Sequence, residues 1–100
     1  MKLCALVLGA GLMVSSIAHA ESLDEMYPAP WKASENSSIT RALKEQGVEG
    51  CGKYRYRVAQ KSNSEFLVYC YRGGSAKSAY MVWPNIHKVM GPYSPDDSLL

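Results

Sequence analysis

Three kinds of side chain in this 100-residue chain could do chemistry: a pair of thiols, a histidine, and a group of arginines and tyrosines. Cys51 and Cys70 could bridge, hold a metal or supply a thiolate. Their even number beyond residue 20, together with the export signal described below, favours a bridge over a metal site or a catalytic thiol. Closing a loop of this length stabilises a fold by about 3 kcal/mol on the chain-entropy model. Bridged cysteines are neither nucleophiles nor ligands. His87, the only histidine after residue 20, has no cysteine or paired carboxylate near it in sequence, so neither a catalytic triad nor a zinc site is expected. Gly73-Gly74 lacks the strand, loop and lysine of a phosphate cradle, and no cofactor is expected.

The arginines and tyrosines suggest binding rather than catalysis. Arg55, Arg57, Tyr69, Tyr71 and Tyr80 are the candidate binding residues, because arginine and tyrosine are the types over-represented at interface hot spots. Whether they meet depends on a hairpin. Residues 50–72, GCGKYRYRVAQKSNSEFLVYCYR, read as two strands around a polar turn. Side chains alternate along a strand, so Tyr54, Tyr56 and Val58 share one face while Lys53, Arg55 and Arg57 share the other. The second run is apolar on both faces, which leaves the turn to decide the register. A three-residue loop, Lys61-Ser62-Asn63, with Asn63 left-handed, pairs Val58 with Phe66, Tyr56 with Val68 and Tyr54 with Cys70. Arg55 and Arg57 then share a face with Leu67, Tyr69 and Tyr71. A slip of one residue would put them beside Phe66, Val68 and Cys70 instead. As surface charges, Arg55 and Arg57 are expected to contribute within about 0.5 kcal/mol each to stability.

The same register constrains the bridge. Straight continuation of the strand sets Cys51 opposite Gly73, about 10 Å along the strand from Cys70. That exceeds the roughly 7 Å reach of a disulfide between Cα atoms. The chain is therefore expected to leave the strand at Gly52 and fold back, so that the bond staples the end of a preceding helix to the sheet.

That helix is read from Ile39, Ala42, Leu43 and Gln46 at helical spacing, with Ser37 or Ser38 as N-cap and Gly47 as stop residue. Val48 would then touch Leu43 in a Schellman ending. After the hairpin, Gly73-Gly74 signals a turn into a third strand, about 77–83. A two-residue turn puts Ala79, Met81 and Trp83 in the core and Tyr80 and Val82 beside Tyr69 on the outer face. Pro84-Asn85 ends that strand, and residues 87–90 return as an edge strand closed by Gly91-Pro92.

The ends of the chain are different in kind. Residues 1–20 carry Lys2, an apolar run from Leu3 to Val14 and an Ala18-His19-Ala20 processing site, which identifies a cleaved signal peptide. The run is shorter than the roughly 20 residues of a membrane span, so no stable membrane insertion is expected after processing. Residues 21–36, with Pro28 and Pro30 flanking Ala29, are expected to be an extended or flexible arm. Residues 94–100 are expected to be a disordered tail, and 37–93 form the domain. Residues 21–49 carry three Lys/Arg against six Asp/Glu, whereas 50–93 carry seven against Glu65 alone. The strand half is thus basic.

The expected fold is α+β: one short helix on a three- or four-stranded antiparallel meander, tied by a disulfide. The expected function is that of an exported, non-catalytic binding module, periplasmic or secreted, of the inhibitor or immunity type. Its basic, tyrosine-rich sheet face would meet a protein partner in the envelope or outside the cell. The alternative is an anionic envelope polymer or lipid head group, contacted by Lys53, Arg55, Arg57 and Lys77. A small enzyme ranks last. The tracts GKYRYRV and FLVYCYR share their aromatic and basic character with RNA-binding sheets, but export with a disulfide argues against nucleic acid.

Overall fold

The computed structural model describes residues 22–100, so the expected signal peptide and its cleavage site lie outside the described residues. The fold is α+β, built on one four-stranded antiparallel sheet in the order β1-β2-β3-β4. In chain order the elements are α1 (Leu23–Met26), α2 (Ser37–Glu45), β1 (Lys53–Val58), β2 (Phe66–Arg72), β3 (Ser75–Trp83) and β4 (Lys88–Tyr93). Short 3-10 turns at Pro84–Ile86 and Asp97–Leu99 follow β3 and β4. No helix among the described residues is long and apolar enough to cross a membrane.

Helix α2 starts one residue earlier than expected. Asn36 is the N-cap, and its Oδ1 accepts from the amides of Ser38 and Ile39, two donors that a capping serine at 37 or 38 could not reach together. The other end is the anticipated Schellman closure. The Val48 amide donates to Leu43 O and the Gly47 amide to Lys44 O, with Val48 packed on the core that holds Leu43. Nine residues make too short a helix to persist alone. Its Ile39, Ala42 and Leu43 are buried against Tyr56, Phe66, Val68, Cys70, Tyr80 and Val82 of the sheet.

The hairpin register is the expected one, with Val58 opposite Phe66, Tyr56 opposite Val68 and Tyr54 opposite Cys70. The loop is built differently. Asn63 is not left-handed, and the Gln60 amide donates to Met26 O, outside the hairpin, instead of facing Ser64. Cys51 and Cys70 are bonded, with Cα atoms 4.8 Å apart. Strand β1 begins only at Lys53, so the chain does turn out of line at Gly52 and come back over the sheet to make the bond.

The third strand reverses the expected faces. Gly73 and Gly74 both have positive φ, as a tight two-residue turn requires, and Arg72 faces Ser75. A bulge follows at once. Tyr71 faces Ala76 but Cys70 faces Ser78, which leaves Lys77 as the extra residue. Because the side-chain period is two, that single insertion exchanges every later position. Tyr80 and Val82 therefore join the helix-side core, while Ala79 and Met81 go to the opposite face. Strand β4 also runs further than expected, through Gly91-Pro92 to pair Tyr93 with Ala79. The Tyr80 ring lies on Gly91, where a Cβ would meet Tyr80 Cδ2 at 2.7 Å and the Ala79 carbonyl at 2.8 Å.

The second sheet face is covered by the two segments expected to be loose. The arm forms α1, closed by a reciprocal capping box between Ser22 and Glu25, and then lays Tyr27 and Trp31 against the sheet. At Lys32 it pairs with Tyr56 through two backbone hydrogen bonds of 2.8 and 2.9 Å, adding a one-residue bridge beside β1. The tail returns over the same face and buries Leu99. A second core results, in which Tyr27, Leu67, Tyr69, Ala79 and Leu99 are buried. The proline spacing did forbid a long helix or a central strand, but it left room for one helical turn and an extended run that packs.

Candidate binding groove

Of the five residues expected to form one open surface, the structure exposes a smaller group. Tyr80 is on the helix side of the sheet and buried, for the reason of register just given. Tyr69 is fully buried beneath the arm and tail. Its ring centroid is 4.6 Å from that of Trp31, and its hydroxyl accepts from the Asp96 amide at 2.8 Å and donates to Asp96 O at 3.2 Å. Burial pushes the Tyr69 hydroxyl above the usual tyrosine range.

Arg57 is also buried, with 5 % of its surface exposed. Its guanidinium donates to Asp24 Oδ1 at 2.8 Å, Tyr27 O at 3.2 Å and Leu99 O at 3.1 Å, and it stacks over Trp31 at 4.6 Å. The Trp31 indole donates to Leu99 O as well, at 2.7 Å. Arm, sheet and tail are thus joined at one cation. The arginine expected to be a surface contact is a structural clasp, because the carbonyls of the covering segments need buried donors that β1 and β2, already paired, cannot supply.

Arg55 and Tyr71 stay accessible, and they remain together. The Arg55 guanidinium carbon sits 5.1 Å from the Tyr71 ring centroid, a cation–π contact at the end of the face that the arm and tail do not cover. Lys53 faces Tyr71 across β1 and β2. Beyond them a groove runs around the disulfide end of the sheet toward α2. Its rim carries, among the described residues, Lys44, Lys53, Arg55 and Arg72 against the single carboxylate of Glu35. Among the described residues none of these four cations forms an ion pair within 4 Å, while Asp24 and Glu45 are engaged elsewhere, with Arg57 and His87.

The floor of the groove is apolar, from Leu43, Val48, Cys51 and the Tyr54 ring. The Tyr54 hydroxyl accepts from the Asn36 amide and donates to Asn36 O, both at 2.9 Å, and lies 2.8 Å from Thr40 Oγ1. That network pins the start of α2 to β1 and fixes one wall. The disulfide fixes the other. It carries Gly50 against the Arg72 guanidinium so closely that a Cβ at position 50 would overlap Arg72 Nη2.

Lys53 belongs to the basic set that the sequence offers for an anionic polymer, whereas Lys44, Arg72 and Gly50 carry no such signal in the sequence. A basic residue in the last turn of a helix is ordinary, and nothing local in the sequence brings Gly50 to Arg72. The bond from Cys51 to Cys70 does so. The exposed histidine has a bland role: His87 Nδ1 is 2.9 Å from Glu45 Oε1, and Gln46 Nε2 donates to His87 O at 2.9 Å, which holds the end of α2 to the turn before β4.

Comparison with protein-family models, with curated proteins and with solved structures finds no match to this chain.

Proposed function

We propose that this chain is an exported, non-catalytic binding module, periplasmic or secreted and of the inhibitor or immunity type, that meets a protein partner through the groove at its disulfide end. The observation that carries this reading is a rim of four cations that form no ion pair within 4 Å among the described residues, over an apolar floor. Desolvated apolar area supplies affinity, while unpaired charges at the rim steer encounter and select the partner. The disulfide suits an oxidising compartment. The site keeps Arg55 and Tyr71 of the sequence-based surface and gives up Arg57, Tyr69 and Tyr80 to the interior.

The rim alone also suits an anionic polymer or lipid head group, which is the second reading. Salt separates the two, because binding to exposed cations by charge alone weakens steeply as ionic strength rises, whereas a packed interface retains most of its affinity. A photo-reactive amino acid at position 53, with position 63 on the far loop as control, tests the first reading in cells that export the protein. A protein cross-linked from 53 and not from 63 is expected. Cross-linking from both positions alike, or from neither, overturns the site.

A further inference from the structure

Resting on the groove as a protein-binding site, we propose that the part of the partner it takes is an extended acidic segment carrying an apolar side chain between its carboxylates. Three features of the groove point to this chemistry. First, the Arg55 guanidinium carbon sits over the Tyr71 ring, 5.1 Å from its centroid, a cation–π contact that restricts the side chain. An arginine stacked in this way loses little further freedom on binding, and its fork matches a carboxylate in a two-bond geometry that a lysine cannot reproduce. Second, Arg72 ends β2 next to Tyr71 with its guanidinium close to Gly50, which adds a second guanidinium to the groove, and Lys53, opposite Tyr71, adds a third charge. Third, Leu43, Val48 and Cys51 form an apolar floor inside this ring of charge. A bare polyanion has nothing to place there. A leucine-sized side chain flanked by glutamates or aspartates fills the floor and meets the rim at once.

The surroundings argue the same way. Among the described residues Glu35 is the only carboxylate lining the groove, so an incoming acid meets little repulsion from them. A basic segment would meet four like charges. The remaining outer face of the sheet is sealed by the arm and tail, which limits the partner to a narrow segment and excludes a flat docking surface on that side.

The test uses the oxidised protein and three probes: a fluorescein-labelled ten-residue peptide alternating glutamate with leucine, the same peptide with glutamine in place of glutamate, and inorganic polyphosphate of matched charge. Anisotropy titrations give affinity, and backbone amide shifts map the site. The expected result is binding of the glutamate peptide, with shifts at Lys53, Arg55, Tyr71 and Arg72, and little binding of the glutamine peptide. Arg55→Ala should weaken the glutamate peptide about 30-fold. Arg55→Lys should restore only a small part of this loss, since it keeps the charge and lacks the fork. Equal binding of both peptides, full rescue by Arg55→Lys, or tighter binding of polyphosphate overturns the acidic-segment proposal. If a protein still cross-links from position 53 in that case, the groove stands as an interface and only the chemistry assigned to its partner is wrong. If polyphosphate takes the groove and no protein is captured there, the protein-binding reading falls with it.

Discussion

The two faces of the sheet are both buried, yet they are closed by different means. On one, α2 contributes Ile39, Ala42 and Leu43 to a core whose sheet side is almost wholly apolar, and the Cys51–Cys70 bond ties the returning chain to β2. A helix satisfies its own backbone hydrogen bonds, so it can seal a surface with apolar side chains alone. On the other face the cover is a single helical turn, an extended arm and a short tail, all of which bring unpaired carbonyls with them. Arg57, Trp31 and Tyr69 answer those groups with donors from within the core. Sealing a sheet with irregular chain therefore places polar donors within the core, where a helix needs polar partners only at its ends.

The comparison can be tested first at the bond. Cys51→Ser with Cys70→Ser should lower stability by about 3 kcal/mol, seen in denaturant unfolding. It should also loosen the groove, because Gly50 is no longer held against Arg72; an unchanged midpoint under reducing conditions would show that the staple contributes nothing. Next is the clasp. Arg57→Ala leaves Tyr27 O without its side-chain donor and Leu99 O with the Trp31 indole alone, and should lower stability by about 2 kcal/mol. In hydrogen exchange the arm and tail should lose protection while β2 and β3 keep theirs. Equal loss on both faces would mean that the two covers unfold as one unit.

A cap substitution and an alkaline titration have smaller effects. Asn36→Ala removes the acceptor for two amides and should lower stability by about 1 kcal/mol, with the helix face alone affected. Burial and the neighbouring Glu65 raise the Tyr27 hydroxyl, and burial raises that of Tyr69. Both groups bind their proton more tightly folded than unfolded, so their contribution is complete below the unfolded tyrosine value, about 10, and is lost as pH rises above it. Unfolding midpoints should therefore fall above about pH 10, and Tyr27→Phe should flatten the decline. The smallest effect is expected at the rim, where Arg55→Ala should change stability by no more than about 0.5 kcal/mol in the same denaturant assay. A larger loss would make Arg55, like Arg57, part of the structure.

Much of this architecture follows from local residue pattern. A short turn after KYRYRV led to the observed hairpin register, although the loop itself is built differently, and the limits on disulfide reach then led to the turn out of β1 at Gly52 and the bond itself, because each depends on spacing along a short piece of chain. Gly47 and Val48 marked the end of α2 for the same reason. Ser22-Leu23-Asp24-Glu25 held a capping-box signal for α1 that the nearby prolines overshadowed.

What the sequence could not decide was which faces end up covered and by what. One inserted residue, Lys77, moved Tyr80 and Val82 to the helix side, since a bulge changes the parity of a strand without any strong local signature. The burial of Arg57 and Tyr69 depends on segments more than 25 positions away in the chain, at Asp24, Tyr27 and Asp96. The same holds for the groove, where Gly50, Arg55, Tyr71 and Arg72 become neighbours only once strand pairing and the disulfide have closed. Composition along the chain gives each residue its capacity for charge, stacking or burial; long-range packing determines which of those capacities faces water.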